Sequence, residues 1–107
     1  MPFKVLFIAH ARDADKEKHT SSIQTGSYHL YTVVVKNQDE ALEIAKDFSD
    51  NMQIDCILLC PGFTHTDVAE IVKITGGKVS VSVARGDGPG SKISFEARKR
   101  AGIPPGK

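Results

Sequence analysis

The stretch FKVLFIA at residues 3–9 determines what kind of sheet this 107-residue chain can form. It is almost continuously apolar, and only Lys4 interrupts it. Such a run indicates a strand that is covered on both faces, as in the centre of a parallel sheet. A second run of this kind, CILLC, occupies residues 56–60. We therefore expect both segments to be central strands of one α/β sheet.

Two further segments have the composition of strands. Residues 28–35 are rich in Tyr, Thr and Val, which are frequent in β-sheets. Residues 79–83 alternate strictly between Val and Ser, so one face of that strand is buried and the other is polar. This alternation predicts that the last strand lies at an edge of the sheet.

Two helices are predicted between these strands. For the helix over residues 38–50, Asn37 can act as the N-terminal cap, and Glu40 stands at the position that completes a capping box. The second helix covers residues 67–75 and is followed by the pair Gly76-Gly77, which supplies the left-handed conformation at which helices end.

The alternation of strands and helices predicts parallel strands joined by right-handed crossovers. With the strands numbered in chain order, the simplest arrangement is a mainly parallel four-stranded sheet of order 2-1-3-4, half of a flavodoxin-like α/β sheet. Residues 15–23 are polar and predict a short helix or a loop. If the segment over residues 12–27 is only a loop, strands 1 and 2 can instead run antiparallel in a mixed sheet. We expect one α/β domain over residues 1–90 and a C-terminal tail over residues 91–107 that packs on the domain or on a partner subunit.

The composition narrows the classes of function. Fourteen basic and thirteen acidic residues give a net charge of +1, which provides no field to attract nucleic acid or an anionic membrane. No run approaches the roughly 20 apolar residues of a membrane span, and no export signal is evident. Cys56 and Cys60 lie too far apart on a strand for a disulfide to join them. Because free cysteines suit a reducing compartment, we expect a cytoplasmic protein.

Candidate catalytic residues lie where strands 1 and 3 end. Ligands of open parallel sheets bind beyond the carboxyl ends of the strands. His10 ends strand 1, Cys60 ends strand 3, and His65 follows closely. A histidine at such a place can transfer protons, and a cysteine near a helix N-terminus is inclined toward the reactive thiolate. A buried structural cysteine and ordinary strand-end histidines are the alternatives, and no pair of ligands has a standard zinc spacing.

Candidate ligand-binding residues come from the start of the second helix and from the loop after strand 4. The amides near Thr64 and Thr66 at a helix N-terminus favour a carboxylate or phosphate, and Arg85 beside Asp87 could bind a carboxylate through two hydrogen bonds. The alternatives are helix capping by Thr64 and a flexible glycine-rich turn after Arg85. No motif indicates a particular cofactor.

The segment CPGFTH at residues 60–65 carries a resemblance to a known family. Together with the apolar first strand, the charged stretch at residues 13–19, and Arg85 followed by Gly86 and Asp87, it resembles a small family of uncharacterised bacterial proteins. That family is known as a domain of unknown function, and its members are about as long as this chain. The chain departs from the family pattern at Pro61 and Thr64, where glycine is expected. The resemblance implies the fold and no particular activity.

Two functional hypotheses follow from the sequence. One is a protein that binds a small molecule with a carboxylate or another anionic group, with enzymatic proton transfer or acyl transfer as an extension. The other is a non-catalytic structural or interaction subunit. In the predicted order both helices cover the same face of the sheet, and residues 12–27 are too polar to cover the other. We therefore also expect a homo-oligomer, most simply a dimer with two-fold symmetry.

Overall fold

The computed structural model describes residues 1–84 and 89–103, in which a mixed five-stranded sheet carries helices on one face. The strands are β1 (Phe3–His10), β2 (Thr20–Gln24), β3 (Tyr28–Val35), β4 (Cys56–Leu59) and β5 (Ser80–Val83). The helices are α1 (Gln38–Asp47), α2 (His65–Ile74) and α3 (Pro89–Arg100), and a π-helical turn over Phe48–Met52 continues α1.

The sheet has the order β2-β3-β1-β4-β5. Strand β1 pairs in parallel with β3 on one side and with β4 on the other, and β5 pairs in parallel with β4. The predicted order 2-1-3-4 is found among the four parallel strands β3, β1, β4 and β5, but the sheet has a fifth strand, so the prediction of a four-stranded sheet is confirmed only in part. Strand β5 lies at an edge, as its alternating sequence indicated. The alternative in which strands 1 and 2 run antiparallel is wrong, because β1 and β3 are parallel along their full length.

The prediction of a short helix or a loop over residues 15–23 is corrected, because part of this segment is a strand. Residues Thr20–Gln24 form β2, which pairs antiparallel with β3 and makes the sheet mixed and five-stranded. The hairpin turn is held by the Thr25 hydroxyl, which accepts hydrogen bonds from the backbone N–H groups of Ser27 and Tyr28. Every residue of β2 is exposed, so the strand lacks the alternation of burial that reveals a strand in sequence.

The predicted C-terminal tail over residues 91–107 contains most of a helix, since Pro89–Arg100 forms α3. The division into a domain over residues 1–90 and a tail stays a prediction. Proline at the first position of a helix is favourable, and the basic last turn, Arg98–Arg100, suits the negative end of the helix dipole. The helix ends at Gly102, whose φ of +76° allows Ile103 N–H to donate to the Arg98 carbonyl at 2.9 Å. The described side chains of α3 include no buried one, so its apolar pattern was too weak to predict it.

The predicted helices are present with shifted ends. Helix α1 begins at Gln38 as expected and is capped by Asn37, but the regular helix ends at Asp47 and the π-helical turn follows. Helix α2 starts at His65, two residues before the predicted start. It stops as predicted at the glycine pair 76–77, whose φ angles are +70° and +72°.

The core lies between the sheet and the pair α1 and α2. Helix α1 touches α2 through the Gln38 side-chain amide, which donates to the Asp67 carbonyl and to the Glu70 carboxylate, both at 3.1 Å. The two helices therefore lie on the same face of the sheet. The side chains buried between the layers come from both helices, from the strands β1, β3 and β4, and from the loop between β4 and α2. The largest are Phe63, Leu6, Ile8, Ile57, Leu59 and Ile71. Among the described residues, no helix is long and apolar enough to cross a membrane.

We expect the substitution Leu6→Ala to lower the free energy of unfolding by about 2–5 kcal/mol, since Leu6 is completely buried and truncation leaves a cavity. Val72→Ala on α2, where the side chain is 41% exposed, is the control and should cost about 0.5 kcal/mol or less. Urea denaturation followed by circular dichroism measures both changes. Equal effects of the two substitutions would contradict the assignment of the core to this face of the sheet.

Candidate functional site

The carboxyl ends of the four parallel strands meet at one edge of the sheet. A cleft of about 620 Å³ opens there beyond β1 and β3, which is within the usual range for small-molecule sites. Its lining comes from the end of β1, the start of the following loop, the residues between β3 and α1, and the segment that follows α3: His10, Ala11, Arg12, Asp13, Lys36, Asn37, Ala101 and Ile103.

His10 occupies the floor of this cleft and is held by an aromatic ring. Its imidazole stacks on Phe63, with ring centroids 3.9 Å apart and planes inclined by 22°. Phe63 is only 1% exposed, and its backbone N–H donates to the Cys60 carbonyl at 3.3 Å. The loop after β4 therefore fixes the orientation of the imidazole at the end of β1. Both ring nitrogens of His10 are buried, so the imidazole does not present a nitrogen to the cleft in this arrangement.

Two cationic side chains border the same cleft. The hydrogen bond from Ala11 N–H to the Val35 carbonyl, at 2.9 Å, extends the pairing of β1 with β3 and brings Arg12 close to Lys36. Arg12 Nη2 donates to the Gly102 carbonyl, which ties the end of α3 to the cleft. Because a guanidinium has five N–H donors, Arg12 keeps donors for a ligand after making this bond.

Acidic groups partly offset these cations. Asp13 lines the cleft, and the Glu40 carboxylate lies 3.9 Å from the Lys36 ammonium group. Asn37 caps α1 by accepting a hydrogen bond from Glu40 N–H at 2.9 Å, so the positive end of the α1 dipole also points toward the cleft. The cleft therefore offers both cationic donors and a carboxylate acceptor.

The sequence-predicted catalytic residues are only partly brought together. His10 lines the cleft, whereas Cys60 and His65 are not among its lining residues in the described part of the chain. Cys60 is half-buried against the core, and its backbone N–H donates to the Ile8 carbonyl at 3.1 Å. His65 is exposed in the first turn of α2. The close approach of His10 and His65 stays a prediction.

The predicted anion site at the start of α2 contains a complete capping box. The Thr64 hydroxyl accepts a hydrogen bond from Asp67 N–H at 3.1 Å, and the Asp67 carboxylate accepts one from Thr64 N–H at 2.9 Å. These bonds occupy two of the N–H groups that an anion would need, and they place a carboxylate, 8% exposed, at the helix terminus. Thr66 is exposed in the same turn. The role of Thr64 and Thr66 in ligand binding stays a prediction, and the capping box argues against it.

Arg85 and Asp87, the other predicted ligand-binding residues, lie outside the described residues. Within residues 1–84 and 89–103, no group of three His, Cys, Asp or Glu side chains is arranged to hold a metal ion.

Sequence reasoning missed most of the cleft: Arg12, Asp13, Lys36 and Asn37. The signal for Lys36 and Asn37 was available, because they follow the strand at residues 28–35 and its carboxyl end lies at the same edge as that of β1. Arg12 and Asp13 were assigned to a crossover rather than to the strand end. The contribution of Ala101 and Ile103 depends on α3, which was not predicted.

Comparison with known proteins identifies the family. The model of the DUF6506 family, described as a family of unknown function, matches residues 3–96. The chain belongs to this family. No curated protein and no solved structure matches it. The resemblance to an uncharacterised domain of this length is confirmed, and the DUF6506 description assigns no activity to the cleft.

We expect Thr64→Ala to lower the free energy of unfolding of this DUF6506 protein by about 1 kcal/mol, because it removes the hydroxyl that caps α2. Thr64→Ser is the matched control and should retain most of the stability, since serine caps equally well. Thermal or urea unfolding measures both. An unchanged stability for Thr64→Ala would mean that the capping box contributes nothing.

Proposed function

We propose that the protein binds a small molecule carrying a carboxylate or phosphate group in the cleft beyond β1 and β3. The observation that carries this proposal is the placement of Arg12 and Lys36 together on a cleft of about 620 Å³ whose floor is the stacked His10. Arginine binds carboxylates and phosphates through two parallel hydrogen bonds, and lysine adds a charge-assisted one.

The acidic side chain in the cleft refines the class of ligand. Asp13 would repel a second anionic group but would accept a hydrogen bond from a hydroxyl or amino group on the same molecule. A ligand with one anionic group and one hydrogen-bond donor fits this lining better than a polyanion does. The mixed lining, together with the net charge of +1, also argues against nucleic acid as the ligand.

If the ligand is a substrate, proton transfer or acyl transfer next to a carboxylate is the chemistry that fits. His10 lines the cleft and is a candidate for that chemistry, although its ring nitrogens must become accessible before it can exchange a proton. Cys60 and His65 remain candidates for that chemistry, and no cofactor is assigned. The free Cys56 and Cys60, together with the resemblance to bacterial proteins, support a cytoplasmic location in a bacterium.

The second candidate function is a non-catalytic interaction subunit. One observation favours it: α1 and α2 cover the same face of the sheet, and the described residues provide no cover for the other face. If the uncovered face is the surface through which the protein acts, its function requires no ligand in the cleft.

Titration with succinate or inorganic phosphate tests the proposal. In ¹H–¹⁵N correlation spectra, the amides of residues 11–13 and 36–37 should shift first and saturably at millimolar ligand. Arg12→Gln and Lys36→Gln should each weaken binding by about tenfold, because a hydrogen bond to a charged group contributes about 1.5–3 kcal/mol. Lys73→Gln, at an exposed lysine in the last turn of α2, is the matched control and should leave binding unchanged.

Three results would contradict the cleft as an anion site. Shifts that begin at residues 64–67 would favour the start of α2 instead. Equal weakening by Lys73→Gln would indicate nonspecific attraction to surface charge. Absence of saturable shifts with either anion at millimolar concentration would favour the interaction subunit.

A further inference from the structure

The face of the sheet opposite α1 and α2 has no cover among the described residues. Side chains that alternate with the core positions of each strand point to this face, which we call the open face: Ser21 and Ile23 of β2, Tyr28, Leu30, Thr32 and Val34 of β3, Phe3, Val5, Phe7 and Ala9 of β1, Cys56 and Leu58 of β4, and Ser80 and Ser82 of β5. Three of its large apolar side chains are well exposed, namely Phe3 at 49%, Ile23 at 64% and Tyr28 at 42%.

The segments that could cover the open face lie elsewhere. The connection between β1 and β2 is tied to the helical side of the sheet, because the Lys16 ammonium group pairs with the Glu43 carboxylate of α1 at 3.3 Å. The large apolar side chains of α3 do not cover the open face, since Ile93 and Phe95 are 71% and 54% exposed. Parallel strands are almost always covered on both faces, so the part of the chain that the structure describes leaves this arrangement incomplete.

We propose that the open face packs against the open face of a second copy of this chain, forming a homodimer with two-fold symmetry. The charge distribution favours this occupant. The open face contains no Asp, Glu, Lys, Arg or His, so two copies meet without repulsion and without leaving a buried charge unpaired. A partner of different sequence that recognised this face by charge would find no complementary group on it.

The arrangement of polarity on the open face also fits a self-complementary interface. Its centre is apolar, around Phe7 and its neighbours Thr32 and Leu58 in the adjacent strands, and its two edges carry the hydroxyls of Ser21 on one side and Ser80 and Ser82 on the other. An apolar centre with a polar rim is the usual composition of a protein interface. A two-fold axis near Phe7 superposes the apolar centres of both copies, as such symmetry requires.

In projection, the open face is smaller than the surface that a standard dimer interface takes from each partner. Strand lengths and spacings give it roughly 450 Å² in projection, and the relief of the side chains raises the accessible area above that figure. A standard interface takes about 800 Å² from each partner. The net charge of +1 adds no long-range repulsion between two copies.

Analytical ultracentrifugation of the full chain and of three lysine variants tests the proposal. Across the micromolar range, the wild-type chain should sediment with twice its mass of 11.6 kDa. Phe3→Lys and Ile23→Lys each place a charge on the open face at an exposed position, and each should raise the dissociation constant by about tenfold or more. Val72→Lys, at an apolar position of similar exposure on α2, is the matched control and should leave the dimer intact. Circular dichroism spectra identify any variant that fails to fold.

A second readout uses a native cysteine and no disruptive substitution. In a Cys60→Ser variant, Cys56 on the open face is the remaining thiol of the chain. Its rate of reaction with a maleimide should fall as the protein concentration rises through the dimer range, because association buries the thiol. A labelling rate that does not depend on concentration would overturn the proposal.

Other outcomes of the sedimentation experiment also decide the question. A monomer that unfolds cooperatively and keeps its stability on dilution would overturn the proposal and mean that a different partner, or the chain itself, covers the open face. A dimer that dissociates with Val72→Lys but resists Phe3→Lys and Ile23→Lys would assign the interface to the helical side. The phosphate and succinate titrations are independent of these results, because the cleft residues Arg12 and Lys36 lie outside the open face.

Discussion

The handedness of the crossovers between parallel strands is the constraint on which the rest of this structure depends. From β3 to β4 and again from β4 to β5, the chain moves in the same direction across the sheet. Right-handed connections then place α1 and α2 on one face, where the helices bury the sheet's core side chains. The position of the cleft and the lack of cover on the opposite face, among the described residues, both follow from this arrangement.

At the edge where the carboxyl ends of the parallel strands meet, the chain connections decide where a cleft can open. In a doubly wound sheet, helices that diverge to opposite faces open a crevice between the strands at the switch point. Here β1 leads to an antiparallel hairpin instead of a helix, so no helix diverges beside His10. The cleft opens toward β3 instead, between the loop that starts at Ala11 and the start of α1. This explains why the cleft takes its cations from Arg12 and Lys36 rather than from the start of α2.

At the start of α2, the backbone N–H groups that stabilise the helix are the groups that an anion would otherwise bind. The capping box between Thr64 and Asp67 satisfies backbone donors that an anion could otherwise bind. The same short segment supplies Phe63, which is buried in the core and also supports the imidazole of His10. The loop after β4 therefore positions His10 through Phe63, and its Thr64 makes the hydrogen bonds that cap α2.

The sequence by itself determined the four parallel strands, their order, the two core helices and the Asn37 cap of α1, because these features depend on local periodicity and on general rules of connection. It also placed His10 at the edge of the sheet where the cleft opens. Only the tertiary structure decided the position of β2, whose exposed polar residues carry no burial signal, and of α3, whose described side chains bury too little apolar surface to produce one. Only the tertiary structure brought Arg12 beside Lys36, since these residues are distant in sequence and meet through the pairing of β1 with β3. Burial patterns are local and can be inferred from sequence, whereas a cleft depends on how separate segments end beside one another.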